Sequence, residues 1–182
     1  MTPLHSNSYY SVLHGLNSPT ELVKQSKKLG LSHSTLTDIG TMAGTIEFYK
    51  AAQKEDITPI LGIRLSVYTG YITLLAKNQA GYKTLLKITA EANSIDNFTK
   101  RANISLDQLK KYDLDNVICI TGYDNSSLYK KLVKFDEVNP DKNEVKLHLS
   151  ILRQLFKSLY LEYNLSENTG LQNEVKDMIL EI

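Results

Sequence analysis

Two histidines frame the first stretch of the chain with chemical character. In "LHSNSYYSVLHG", Leu4 to Gly15, His5 and His14 flank a Ser-Tyr-Tyr-Ser turn. The stretch reads as a strand running into a loop, a setting in which imidazole commonly ligates a metal. A metal strand wants a second ligand two residues after His5, because alternate side chains share one face. That position is Asn7. The stretch is either a working site written unusually or a site that has been lost.

Other residues with chemical potential have plainer readings. His33 and His148 stand alone and read as polar surface or capping residues. Glu47 in "IEFYKAA" reads as a solvated helix position or a salt-bridge partner, and Lys24, Lys27 and Lys28 as an exposed helix face. Cys119, the one cysteine, lies inside the apolar run "NVICITG", which predicts a buried thiol and a reducing compartment. Eleven tyrosines in a chain without tryptophan read as amphipathic core and interface residues rather than a stacking surface.

These residues need elements to hold them. Ser18 as N-cap, Pro19 at the first helical position and Glu21 closing a capping box predict a helix over Pro19 to Leu29, with Leu22, Val23, Ser26 and Leu29 on one face and Gly30 as its stop. "HSTLTD" predicts a strand ending at Asp38, and the next segment a helix with Ile46, Tyr49 and Ala52 at helical spacing. "ITPILGIRLSV" and "YITLLAKN" predict a hairpin turned at Thr69-Gly70. A helix follows, capped by Asn78, with Tyr82, Leu85, Leu86 and Thr89 facing inward.

Further on, Asn93 to Asn103 reads as a surface loop, and Ser105 to Gln108 as a second capping box. Then come the strand "NVICITG", a helix around Ser127 to Phe135, a loop over Asp136 to Glu144, a helix near His148 to Lys157, the strand "LYLEY", and an amphipathic stretch from Leu171 to Ile182. Strands alternating with helices predict an α/β fold with a mainly parallel sheet. The 182 residues suit one domain, and a net charge of +1 gives no global attraction to nucleic acid or membrane. No apolar run approaches the roughly 20 residues of a membrane span.

Four blocks in register carry a family likeness: "HSNSYYSVLHGLNSPTELVKQSKKLGL", "TLTDIGTMAGTIEFYKAAQKEDITPILG", "ITLLAKNQAGYKTLLKI" and "SLDQLKKYDLDNVICITG". The chain resembles the PHP (polymerase and histidinol phosphatase) domain, in the form found at the N-terminus of bacterial DNA polymerase III alpha subunits. The resemblance implies one PHP-like domain over residues 1–182, built as a distorted (β/α)7 barrel incomplete at its C-terminus. It also implies a cleft at the C-terminal strand ends where active members hold two or three metal ions for phosphoester hydrolysis or 3′–5′ exonuclease work.

Set against the family pattern, the ligand positions are depleted. His5 matches the first histidine of a His-x-His pair, with Asn7 in place of the second. His14 stands where the family has an aspartate. Asp38 is kept, but Ile39 replaces the ligand histidine beside it. Arg64 falls where the family writes the glutamate of Gly-x-Glu, Tyr71 where it writes histidine, and Tyr123 where a cysteine or histidine often ligates. A guanidinium cannot be deprotonated, and at 4 Å and an effective dielectric of ~20 it would repel a divalent ion by about 8 kcal/mol.

The expectation is therefore a vestigial cleft with no catalytic residue and no metal, with Zn, Mn or Mg hydrolysis as the alternative. Arg64 is expected to pair with Asp38 at the end of the neighbouring strand. The resemblance further implies a cytoplasmic scaffold in DNA replication, part of a longer chain whose remainder carries DNA-directed nucleotidyl transfer. Its partners would be that remainder, an exonuclease subunit, and DNA only through the full-length protein.

Overall fold

The computed structural model describes residues 2–67, 70–122 and 142–162. In chain order the elements are α1 (Pro19–Lys28), β1 (His33–Ile39), α2 (Thr45–Glu55), β2 (Thr58–Val67), β3 (Gly70–Ala76), α3 (Gln79–Ala92), β4 (Asn103–Ile104), α4 (Leu106–Leu109), β5 (Val117–Ile120), α5 (Lys142–Leu155) and β6 (Ser158–Tyr160). The expected helix around Ser127 to Phe135, the stretch from Leu171 and Tyr123 lie outside the described residues.

Local chemistry starts the helices where the sequence predicts. The Ser18 hydroxyl accepts from the Glu21 N–H, and the Glu21 carboxylate accepts from the Ser18 N–H at 2.6 Å. The Ser18 N–H foremost, and the Ser18 hydroxyl at 2.9 Å, both donate to the Glu21 carboxylate and hold it below its usual range. Ser105 and Gln108 repeat the arrangement at α4, and the Asn78 side chain caps α3 through the Gly81 N–H. The inward faces differ from the sequence reading. Val23 and Ser26 are buried in α1 while Leu29 is exposed. In α2 the buried set is Thr45, Phe48 and Ala52, leaving Ile46 and Tyr49 exposed, and in α3 Ile88 is buried instead of Leu86. The direction from which a sheet approaches a helix chooses the buried stripe, and hydrophobicity alone does not encode that direction.

The sheet has six strands in the order β1-β2-β3-β5-β6, with β4 beside β2. β1 and β2, β2 and β4, and β5 and β6 run parallel, while β3 runs against both β2 and β5. Five strands therefore share one direction, the mainly parallel sheet expected, and the β2–β3 hairpin brings β3 back between them. Among the described residues, backbone pairing does not close the sheet into a ring.

Register sorts the side chains onto two faces. On the outer face, Ile63, Leu65, Leu74 and Cys119 pack against Leu85, Ile88 and Ala92 of α3, and Leu152 and Phe156 join them. Beside this core, Leu36 packs with Val23, Phe48, Ala52 and Ile57 under α1 and α2. Each large apolar side chain fully buried here contributes about 1.5–3 kcal/mol. Cys119 is fully buried, and burial pushes its thiol well above the usual range, so it is inert packing. α5 begins at Lys142, inside the segment expected to be a loop, and buries His148, which the sequence reading left on the surface. The inner face carries the register row Ile39, Arg64, Thr73, Ile120 and Tyr160.

Candidate functional site

The leading segment lies along the free edge of β1. The Thr37 N–H donates to the Ser6 carbonyl at 2.8 Å, and the Ser6 N–H donates to the Thr37 hydroxyl at 3.0 Å. From there the chain folds over the strand end in the turn that "SNSYYS" predicts. Asp38 fixes that turn: its carboxylate accepts the Ser8 N–H at 2.7 Å, the Ser8 hydroxyl at 2.7 Å and the Ser11 hydroxyl at 2.6 Å. Ser11 in turn accepts the Ile39 N–H at 2.9 Å. Ser8, Ser11 and Asp38 are all buried, so a charged acceptor and its donors satisfy one another away from water. Gly15 closes the loop against Ser8, where a Cβ would sit 2.1 Å from the Ser8 carbonyl oxygen, so no other residue fits. The loop between them exposes Val12 and Leu13, Leu16 is exposed just past Gly15, and Leu13 adopts a left-handed φ of 67°.

This arrangement overturns the expected Arg64–Asp38 pair. Asp38 is in register with Ile63, and Arg64 with Ile39, so alternation sets the carboxylate and the guanidinium on opposite faces of the sheet. Among the described residues no ion pair joins them.

At the C-terminal ends of the strands the inner face opens into a cleft of about 900 Å³. Its walls include Tyr10, His14, Ile39, Tyr71, Phe98 and Arg101. Tyr71, at the start of β3, lies between two cations: the Arg64 guanidinium carbon is 4.9 Å from its ring centroid, and that of Arg101 is 5.1 Å away. Arg101 also donates to the Tyr71 hydroxyl at 2.7 Å. The loop bearing Arg101 is held from several sides. Asn93 donates to the Gly40 carbonyl at 2.9 Å, Asn97 to the Glu91 carbonyl at 2.9 Å, and Gln108 to Asn97 at 3.0 Å.

His5 sits further along the same face. Its Nδ1 lies 3.3 Å from the Thr73 hydroxyl, and its Nε2 lies 2.8 Å from a Glu162 carboxylate oxygen. The Glu162 N–H donates to the Thr121 hydroxyl at 3.2 Å, which anchors the carboxylate just past β6.

Of the positions the sequence marks, Ile39, Tyr71 and His14 share the cleft, Arg64 joins them through the Tyr71 ring, and His5 stands beside Thr73 on the same face. Asn7 is half-buried in the leading segment. Asp38 belongs to the turn rather than to the cleft. Among the described residues no group of three or more His, Cys, Asp or Glu is placed to hold a metal ion. Sequence reasoning missed Arg101, inside what read as a polar loop, and Glu162, inside a strand motif.

Elsewhere, Glu47 is more than a solvated helix position, and among the described residues it has no salt bridge. It accepts the Thr20 hydroxyl at 2.8 Å, the Thr20 N–H at 3.3 Å and the Tyr9 hydroxyl at 3.2 Å, tying α2 to α1 and to the Ser8–Ser11 turn. Lys27 donates to the Glu55 carbonyl at 2.6 Å, a packing role for one member of the basic cluster. Glu91 accepts the Tyr112 hydroxyl in a short hydrogen bond and pairs with Lys111 at 3.2 Å. Burial and that carboxylate push the Tyr112 hydroxyl up to about 12, while Tyr112 foremost holds the Glu91 carboxyl below its usual range.

Comparison with known proteins places this geometry in context. A family model described as the PHP domain matches residues 3–166. The DNA polymerase III subunit alpha of Borreliella burgdorferi is 35% identical over 157 residues, which cover 78% of this chain and 13% of that protein. The subunit of the same name from Chlamydia pneumoniae is 30% identical over 173 residues, covering 87% of this chain and 13% of that protein. The chain thus spans about an eighth of the length of these relatives. Among solved structures, a candidate metal-dependent phosphoesterase from Bifidobacterium adolescentis superposes with a TM-score of 0.61 at 12% identity, covering 99% of this chain and 83% of that one, a likeness of fold.

Proposed function

The chain belongs to the PHP domain family, and from that premise we propose that it is the PHP module of a bacterial replicative DNA polymerase III alpha chain, a non-hydrolytic scaffold with a metal-poor cleft. One observation carries the reading. Ile39 and Arg64 are register partners on the cleft face, and Arg64 and Arg101 flank Tyr71. The cleft face therefore presents an alkyl group and a cation at the two positions where the family resemblance asks for imidazole and carboxylate, with a second cation, Arg101, beside Tyr71. Two divalent ions need clustered anionic or imidazole ligands to neutralise them, and this donor set does not suit them.

In this reading the module braces the polymerase core of a longer cytoplasmic chain and presents a surface to an exonuclease subunit. Nucleotidyl transfer belongs to the remainder of that chain. The exposed Val12, Leu13 and Leu16, held on a loop with a fixed base, suit such a bracing surface. The rival reading, a metal-dependent phosphoesterase or proofreading exonuclease, draws on one observation, the imidazole–carboxylate pair of His5 and Glu162.

Metal analysis of protein purified without chelator, with nuclease assays in manganese and zinc, tests the two. Substoichiometric metal and no turnover supports the scaffold. Stoichiometric metal with turnover abolished by His5→Ala establishes the rival.

A further inference from the structure

We propose that the slot between α2 and α3, on the outside of the sheet, is where the module grips the rest of its own chain, and that the occupant is an amphipathic helix with acidic residues beside an apolar stripe. The proposal deepens the scaffold reading and rests on it for one point, that the natural chain continues into a polymerase.

The slot follows from the strand order. β1 reaches its parallel neighbour β2 through the helix α2, whereas β2 turns back into β3 as a hairpin, with Val67 paired to Gly70. A parallel crossover lays a helix on the sheet and a hairpin lays none. Against the sheet, α2 packs chiefly on β2 and α3 chiefly on β3, which leaves a gap in the outer layer above the hairpin. The gap encloses about 600 Å³, floored by Pro59, Leu61 and Ala76 and walled by Ile46 and Tyr49 of α2 and Tyr82 of α3.

These walls account for residues that the hydrophobic pattern places inward and the fold leaves outside. Ile46 is 57% exposed, Tyr49 42% and Leu86 41%. Leu86 stands one turn on from Tyr82, so it extends the same flank of α3. The Gln53 amide donates to the Tyr49 hydroxyl at 3.2 Å and holds that ring along α2. The two helices thus keep apolar flanks toward a space that the described residues leave open.

The floor decides the kind of occupant. β2 pairs with β1 and β3, and β3 with β2 and β5, so neither offers a free edge to an added strand. Side-chain packing remains, and a helix supplies it with apolar residues at i, i+3, i+4 and i+7. The rim sets the sign of its flanks. Lys50 lies one turn from Ile46 and Lys83 one turn from Gln79; both are exposed, and among the described residues neither forms an ion pair. Glu47 and Glu91, on the same two helices, are engaged with Thr20 and Tyr9 and with Tyr112 and Lys111.

The size of the slot decides the source. Ten described residues line it. A stable interface with a free partner takes roughly 20–30 residues a side. A segment of the same chain needs far less, because tethering supplies a local concentration on the order of millimolar. The polymerase relatives are about eight times as long as the stretch matched here, ample chain to provide such a helix.

The test is maleimide labelling of the full-length product of the natural reading frame, carrying Leu86→Cys, Ile46→Cys or, as a control on the exposed face of α1, Lys24→Cys, read peptide by peptide by mass spectrometry. The native Cys119 is fully buried and stays silent. All the substituted positions are exposed in the module, and thermal melts verify that each variant is folded. The two slot thiols should react about tenfold slower than the control, the protection given by a docked segment that opens a tenth of the time. Lys50→Glu with Lys83→Glu should speed labelling at Leu86→Cys about threefold, the size of two surface ion pairs, and leave the control unchanged. A benzophenone attached at Leu86→Cys should crosslink to a peptide of the same chain beyond Ile182.

Slot thiols as reactive as the control overturn the inference and leave the scaffold reading standing. Protection that fades on dilution, or a crosslink to a second copy or to an added exonuclease subunit, overturns it in favour of that occupant. Protection indifferent to Lys50→Glu with Lys83→Glu overturns the acidic chemistry assigned to the helix. A reading frame without a polymerase segment sinks both the inference and the scaffold reading.

Discussion

Asp38 grips Ser8 twice, through its backbone N–H and its hydroxyl, each at 2.7 Å. An aspartate at the end of a strand, in a family whose members gather metals there, here organises a turn.

Asp38→Ala should therefore act on stability. It strands the buried Ser8 N–H and the Ser8 and Ser11 hydroxyls, and a buried charge-assisted network of this kind is worth about 3 kcal/mol when one side is removed. For a chain of this size that corresponds to a melting temperature lower by about 6–12 °C. A melt within 2 °C of the parent protein, about 0.5 kcal/mol, would show that the turn stands without its carboxylate.

Restoring the family ligands should restore affinity. Ile39 and Arg64 sit opposite one another in register on the cleft face, so Asn7→His, Ile39→His and Arg64→Glu together place two imidazoles and a carboxylate near one point. Titration calorimetry with zinc should then detect tighter binding than the parent protein gives. An unchanged, flat titration would mean that these positions do not converge.

The Tyr71 ring couples to its cations. A double-mutant cycle with Arg64→Ala and Tyr71→Leu should give a coupling energy of about 0.5–1 kcal/mol, the size of a partly exposed cation–π contact. Tyr71→Phe keeps the ring and loses only the hydroxyl bond to Arg101, so its melt should lie closer to that of the parent than the melt of Tyr71→Leu.

The Glu91–Tyr112 pair predicts losses of stability at both pH extremes. Tyr112 titrates at about 12 in the folded chain, above its ordinary value of 10.0, so its contribution is complete below pH 10 and disappears as pH rises toward 12. Glu91 is shifted down, so its contribution is present above the ordinary carboxylate range and fades as pH falls through its lowered value. Urea unfolding at pH 4, 7 and 10.5 should show less sensitivity at both ends in Tyr112→Phe. That variant should cost about 1 kcal/mol at pH 7.

What the sequence made legible was local or in register. The capping box of Ser18 and Glu21 spans three residues, and the helix starts where those residues say. The departures expected at Asn7, Ile39, Arg64 and Tyr71 rest on ordered motifs set against the family pattern, and the metal titration above is what tests them. The cleft's occupants were less legible. Arg101 reaches Tyr71 across thirty positions, and Glu162 reaches His5 across 157, contacts that only the fold brings together. The Arg64–Asp38 expectation failed on parity: neighbouring strand ends look adjacent in sequence, but register decides which side chains share a face.

The contact between His5 and Glu162 also has a mechanical meaning. His5 precedes the segment beside β1, and Glu162 follows β6, and these are the two ends of the strand order. Among the described residues this contact ties the chain ahead of β1 to the chain just past β6 through side chains, and the Thr73 hydroxyl of β3, 3.3 Å from the same imidazole, makes His5 a three-way junction across the inner face. Replacing His5 would therefore release the leading segment and the residue after β6 from one another at a single position.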